Sequence, residues 1–449
     1  MTAAPNHFSM NTRQAGSFMT HKRKTAVALA AAAALGLAAC GSSSKGANTP
    51  SGGTSSSAGG GGGGSSAPSG GNNVKATITI GILADFTGPA ASGNKTVTTG
   101  VKAGVVYAAR NGITVKYVEA DTATNPATAL SAAKKLVQQD HVSAVLAHSA
   151  IAFAAAPYLA SQKVPVVGAG EDGPEWTQLK NMFAVYGALH TTKVTDTLGK
   201  FFKMQGVTTV GSVGYSISPL SSESAKAAIA SGESVGLKKG YLNASFPFGS
   251  TDVGPVVLAM KAAGVDGFTA STDPNTAFAL VTGLKQAGAN IKVATFPTGY
   301  GGDLTQAGPG ALNAAQGVYF SLGYEPIEMQ TAATKQFVSD LAASGTTSEP
   351  TYAMYNGYVS IGLLVRALKA DNGSTSKGDL TTALSGIHDW DALGLFGGRK
   401  LDINDRDTIA GGVDNCSWFT KLVNNKFELV KGADPICGKT LSVTVSASS

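Results

Sequence analysis

VSAVLAHSAIAFAAAPYLASQKVPVVGAGEDGPEW, residues 142–176, holds two short, continuously apolar runs, at 142–147 and 165–167. Runs with no polar face are the pattern of strands in a parallel sheet covered on both sides. Between them, residues 149–163 read as a helix that opens at Ser149 and closes near Lys163, and beyond them the chain turns at Gly173-Pro174. Strand, helix and strand in so short a span predict one unit of a doubly wound α/β sheet. In such sheets small molecules sit at the carboxyl ends of the strands, where loops meet helix amino termini. Two such ends fall here, at His148-Ser149-Ala150 and at Gly170-Glu171-Asp172.

The same alternation continues on both sides. Upstream, residues 77–85 and 114–121 read as strands, and 96–109 and 126–139 as helices, the second with Asn125 as cap and Pro126 in its first position. Downstream, strands are expected at 209–215, 241–246, 267–271, 292–296 and 317–321, with helices at 221–230, 253–263, 276–287 and 303–307. Two sets of this kind imply two Rossmann-like lobes. Helices at 330–343, 351–368 and 380–385 follow, and the tail reads as strands at 397–402 and 417–430, with a turn at Asn424-Asn425.

The amino-terminal region has a different character. Residues 1–39 contain four basic residues (Arg13, Lys22, Arg23 and Lys24), no acidic one, and an apolar run at 26–39. This is the layout of a secretory signal, and the run is short for a spanning helix. The basic cluster lies more than twenty residues into the chain, which points to a start at Met19. Leu37-Ala38-Ala39-Cys40 resembles a bacterial lipobox, implying lipidation of Cys40 and anchoring to the membrane on its outer side; an uncleaved anchor or a chance cysteine is the alternative. Residues 41–73 are almost all small or polar, with unbroken glycine at 59–64, and predict a flexible tether with a reach on the order of 30 Å.

Charge and cysteines narrow the class. The chain carries 34 basic and 28 acidic residues, a formal charge of +6. Without the four basic residues of the leader the excess falls to about two, and a near-neutral surface offers no footprint for nucleic acid. Cys416 and Cys437 remain as an even pair, which in an exported protein suggests a disulfide. The six histidines are scattered, so neither a metal site nor a cofactor is expected.

TGPAA at 87–91, NGITVKYVEADTATNPATALSAAKKLV at 111–137, HSA after the third strand and VPVVGAGEDGPEW occur in that order. Together they resemble the type I periplasmic solute-binding proteins of the leucine/isoleucine/valine-binding class, over residues 77–430. The resemblance implies a monomer of two lobes, 74–190 with 326–392 and 191–325 with 393–449. Three segments, near 187–192, 324–328 and 389–395, would cross between them. The lobes would close over a small-molecule solute and pass it to the membrane permease of an ABC importer. It also implies that Ser149 and the N–H of Ala150 bind the solute carboxylate, and that Gly170 and Asp172 take the places of a backbone carbonyl and a hydroxyl.

Read from the residues alone, Ser149 at a strand end is either an anion contact at a helix start or an ordinary cap. Asp172 would suit an ammonium group; as a buried charge it must be paired by ligand or side chain, unless it points outward. Thr87, Tyr215, Tyr300 and Asp273 are the further ligand-binding candidates. Tyr300 stands where the family commonly has an acid, and Leu220 or neighbouring serines where it has an aromatic ring. Asp273, just before Pro274, is either a site residue or a helix cap. Phe86 and Trp176 either wall the pocket or belong to the core. A branched-chain or related amino acid, an amide or urea-like solute, and an aromatic acid all remain open.

Other classes fare less well. Gly168-Ala169-Gly170-Glu171-Asp172-Gly173 fits a dinucleotide-binding glycine pattern, but its two carboxylates would face the pyrophosphate and Pro174 leaves too little helix. A hydrolase at His148-Ser149 is disfavoured because sequence neighbours point apart and no G-x-S-x-G surrounds this serine. A sensory or adhesive lipoprotein on the same fold is the third class.

Overall fold

The computed structural model describes residues 74–446, apart from Thr191 and residues 307–308. Cys40, the expected leader and the expected tether lie outside the described residues. Five strands form the first sheet: β1 (Ala76–Ala84), β2 (Ile113–Asp121), β3 (Ala144–His148), β4 (Val166–Gly168) and β5 (Met182–Ala184). Their order is β2-β1-β3-β4-β5, and all neighbours are parallel. The register aligns their ends: Ala84 pairs with Asp121 on one side and His148 on the other, and Ala147 pairs with Gly168. Residues just beyond these ends therefore share one edge of the sheet.

After a short strand β6 (Lys193–Thr195), the second sheet is built from β7 (Thr209–Tyr215), β8 (Lys238–Phe246), β9 (Gly267–Ser271), β10 (Val293–Phe296), β11 (Tyr319–Leu322), β12 (Cys416–Val423) and β13 (Lys426–Leu429). Its order is β13-β12-β11-β10-β9-β7-β8, with β12 and β13 antiparallel. Two late strands, β14 (Ile436–Cys437) and β15 (Thr440–Thr444), pair with β12 and β6. Cys416 and Cys437 face each other across β12 and β14 and form a disulfide, joining two tail segments as the even cysteine pair suggested.

Helices Ala332–Ala343 and Tyr352–Ala370 return to pack on helix Val97–Arg110 of the first lobe. The last two approach backbone to backbone: a Cβ on Gly100 would lie 1.9 Å from the Met354 carbonyl oxygen, and one on Gly357 2.3 Å from that of Val97. A buried carboxylate secures the three, with Asp340 accepting a bidentate pair from Arg110 and a bond from Tyr358 Oη at 2.8 Å. Tyr186 and Tyr324 have ring centroids 5.4 Å apart, and Trp390 Nε1 donates to the Val185 carbonyl.

Two expectations need correction. No helix opens at Ser149: Ile151 is non-helical, Ala152–Ala154 forms a 3₁₀ turn, and the α-helix is confined to Ala156–Ser161. The reason is Pro157, which in a helix begun at Ser149 would fall in the interior, where its ring clashes with an earlier carbonyl; it is tolerated in a first turn. Residues 397–402 form no strand beyond one bridge between Trp390 and Leu401, because Gly397 and Gly398 turn the chain with φ of +61° and +79°. Strands β6, β14 and β15 and the helix Thr197–Met204 were not expected at all.

Candidate solute site in the cleft

The carboxyl ends of both sheets face a cavity of about 370 Å³. From the first lobe come Asn94, Ala150, Gly170, Glu171, Tyr186 and Tyr352; from the second come Tyr215, Leu220, Phe248, Asp273 and a set of serines and threonines. The lobes also touch directly, with Ser218 Oγ donating to the Asp172 carbonyl at 3.0 Å. Ser218 caps the helix Pro219–Ser234, so this link is held by a rigid element.

The end of β3 differs from its expected role. Ser149 is 1% exposed and its hydroxyl donates to Asp85 Oδ1 at 2.7 Å, while the N–H of Ala150 donates to Asp85 Oδ2 at 2.8 Å. The donors expected to face a bound anion thus hold the protein's own carboxylate. Asp85, just beyond β1 and fully buried, also accepts from Thr122 Oγ1 and from Asn94 Nδ2 at 2.7 Å. Sequence reading missed this residue. Its signal was an acid closing an apolar strand, one position beyond the register shared by β1, β2 and β3.

At the end of β4, Gly170 lines the cavity with φ of +72°, a backbone conformation suited to glycine. Asp172 neither faces the cavity nor points outward. It is 1% exposed and accepts from Phe153 N at 2.6 Å and Trp176 Nε1 at 2.9 Å. Burial and the neighbouring Glu175 push its carboxyl well above the usual range. Glu171 is instead the residue on the wall. His148 Nδ1 lies 3.0 Å from its Oε1, and Tyr352 Oη donates to its Oε2 at 2.8 Å. Burial acts to raise its pKa, but His148 and the Tyr352 hydroxyl outweigh that and hold it below the usual carboxylate range.

In the second lobe, Tyr215 and Asp273 both line the cavity but are bound to each other, the tyrosine hydroxyl donating to Asp273 Oδ2 and lying 2.7 Å from Thr276 Oγ1. Asp273 caps the helix Pro274–Gln286 through Asn275 N and Thr276 N. Burial and the Asp273 charge raise the Tyr215 hydroxyl far above its ordinary value. Leu220 and Ser221 line the cavity from the first turn of helix Pro219–Ser234. Tyr300 and Thr87 are not on the wall: Tyr300 is buried against Phe427 and donates to Glu328 Oε2 at 2.6 Å, and exposed Thr87 donates to Asp121 Oδ2 at 2.6 Å. Trp176 belongs to the core of the first lobe and Phe86 packs against core residues.

The chain belongs to the periplasmic binding protein family, whose model matches residues 77–426. Among solved structures it is similar to the leucine-binding protein LivK of Thermotoga maritima, with 17% identity over 79% of this chain and 97% of that one, and a TM-score of 0.64. A possible leucine/isoleucine/valine-binding protein of Rhodopirellula baltica shows 15% identity over 79% of this chain and 96% of that one, with a TM-score of 0.65. An ABC-transporter solute-binding protein of Rhodopseudomonas palustris HaA2 in complex with p-hydroxybenzoic acid shows 20% identity over 83% and 97%, with a TM-score of 0.62. At these identities the likeness is one of fold. No curated protein matches the sequence.

Proposed function

We propose that this chain is the extracytoplasmic solute-binding component of an ABC importer, held to the membrane by a lipid on Cys40. It would bind a small polar solute between its lobes and release it unchanged to the permease. The supporting observation is the 370 Å³ cavity at the carboxyl ends of both sheets, walled by residues from each. A solute touching both walls favours the closed arrangement by its differential contacts, which is how such a clamp is driven. The lobes would comprise 74–190 with 326–392 and 191–325 with 393–449, the crossings lying near 187–192, 324–328 and 389–395.

Glu171 on the wall, its carboxyl held below the usual range, supports a solute bearing an amine, branched-chain and related amino acids among them. An aromatic acid is favoured only by the rings of Tyr186, Tyr215, Phe248 and Tyr352, since no Lys, Arg or His is among the described lining residues. Hydrolysis draws no support from the geometry, because the Ser149 hydroxyl is bonded to Asp85 while neighbouring His148 turns to Glu171. A thermal-shift screen of the purified protein tests the reading: a solute at a hundred times its Kd adds about 2.7 kcal/mol of stability. Small-angle scattering should then show compaction, with the solute recovered intact. A broad screen giving neither shift nor compaction would reject it.

A further inference from the structure

The carboxylate of Asp85 occupies the place that a solute carboxylate would need in the first lobe. Its two oxygens take four donors, from Ser149, Thr122, Asn94 and the Ala150 backbone, and it has no exposed surface. Two of those donor residues, Asn94 and Ala150, lie on the cavity wall. A solute carboxylate arriving there would find both Ser149 and Ala150 already committed, and would meet a like charge in a site shielded from water.

The rest of the wall has the same sign. Glu171 and Asp273 are its charged residues, and no Lys, Arg or His is among the described lining residues, the nearest such group to Glu171 being His148 behind the wall, with Nδ1 3.0 Å from Oε1. Asp273 spends its acceptors on Tyr215, Thr276 and the helix start, whereas Glu171 accepts one hydrogen bond, from Tyr352 on Oε2, has His148 Nδ1 3.0 Å from Oε1 but outside hydrogen-bond geometry, and keeps its side chain 22% exposed. Aromatic rings of Tyr186, Tyr215, Phe248 and Tyr352 line the same space, and ring faces attract cations.

We infer that the cleft selects an organic cation carrying no carboxylate beside its amine, with Asp85 as the resident anion that excludes carboxylates and Glu171 as the counter-charge for the solute. This rests on the solute-binding reading and narrows it.

The test is a calorimetric comparison of putrescine, agmatine and choline with leucine and p-hydroxybenzoate on the full chain. At least one of the three cations is expected to bind a hundredfold more tightly than either carboxylate solute. Glu171→Gln should weaken that cation at least tenfold, and Asp85→Ser, which frees Ser149 and Ala150, should raise affinity for leucine or p-hydroxybenzoate at least tenfold. Should Asp85→Ser fail to fold, the wild-type comparison and Glu171→Gln decide the matter. Leucine or p-hydroxybenzoate binding the wild type as tightly as the best cation, or no binding by any of the three cations, overturns the inference. The solute-binding reading falls separately, only if a broad screen finds no solute at all.

Discussion

Ser149 Oγ donates to Asp85 Oδ1 at 2.7 Å across the matched ends of β3 and β1, joining two residues 64 positions apart. The bond satisfies a buried charge, so its worth is structural before any solute arrives. Ser149→Ala removes one of four donors and leaves Asp85 buried with the remaining three. The expected cost is about 1.5–3 kcal/mol, read as a lower urea midpoint in the solute-free protein. An unchanged midpoint would show that the hydroxyl contributes nothing to holding Asp85.

The approach of helices Val97–Arg110 and Tyr352–Ala370 leaves no room for a side chain at Gly100. Gly100→Ala must drive a methyl group into the Met354 carbonyl or separate the helices, at a cost of about 1–3 kcal/mol or more. Gly378, in the first turn of helix Lys377–Ser385, has no positive φ, and nothing lies within 4 Å of the place a Cβ would take. Gly378→Ala should therefore stabilise by about 0.4–1 kcal/mol. Urea unfolding of both variants beside the wild type checks the contrast, with the slope expected to stay constant.

Asp303 Oδ2 is buried without a hydrogen-bond partner, and burial, outweighing Lys95 and Thr96, pushes the carboxyl up to about 8. The folded protein thus keeps a proton that the unfolded chain loses near its ordinary carboxyl pKa of about 4. Stability from this group is complete below that value and is lost as pH rises toward 8. Asp172, raised in the same direction, adds to the slope. Asp303→Asn should leave stability at pH 3.5 nearly unchanged and raise it at pH 9 by on the order of 2 kcal/mol, after discounting for partial solvent screening. Denaturant midpoints at the two pH values measure this, and equal effects at both would contradict it.

The disulfide between Cys416 and Cys437 closes a loop with a sequence separation of 21. Replacing both cysteines with serine should cost about 3 kcal/mol through the freer unfolded chain. Cys416 also lines the cavity, so solute affinity should fall with it. Reductant should lower the urea midpoint of the wild type and leave that of the double variant where it is.

Much of the scaffold is legible in the sequence. Strand β7 coincides with the expected 209–215 and β9 with 267–271, because short apolar runs bounded by polar turns have few other uses. The Asn125 cap is equally local: its side chain accepts from Ala127 N and Thr128 N, both within three residues. Strands β6 and β15 were invisible, being short and paired as strands only with each other, although about 240 positions separate them. At the end of β4, Gly170 and Glu171 line the cavity, whereas Asp172, the acid expected there, is buried behind it. The wall residue is Glu171, and only the packing of Trp176 and Phe153 against Asp172 decides which of the two acids turns inward.

The sequence by itself determined the order and kind of the main elements of both lobes, since apolar periodicity, caps and turn residues act over a few positions. Only the tertiary structure decided what fills the grip at Ser149. That outcome depends on Asp85, Thr122 and Ser149 arriving together at one sheet edge, a matter of register between strands far apart in the chain. The single O–H donor of a serine goes to an acceptor within reach, and here that is a buried carboxylate of the protein itself.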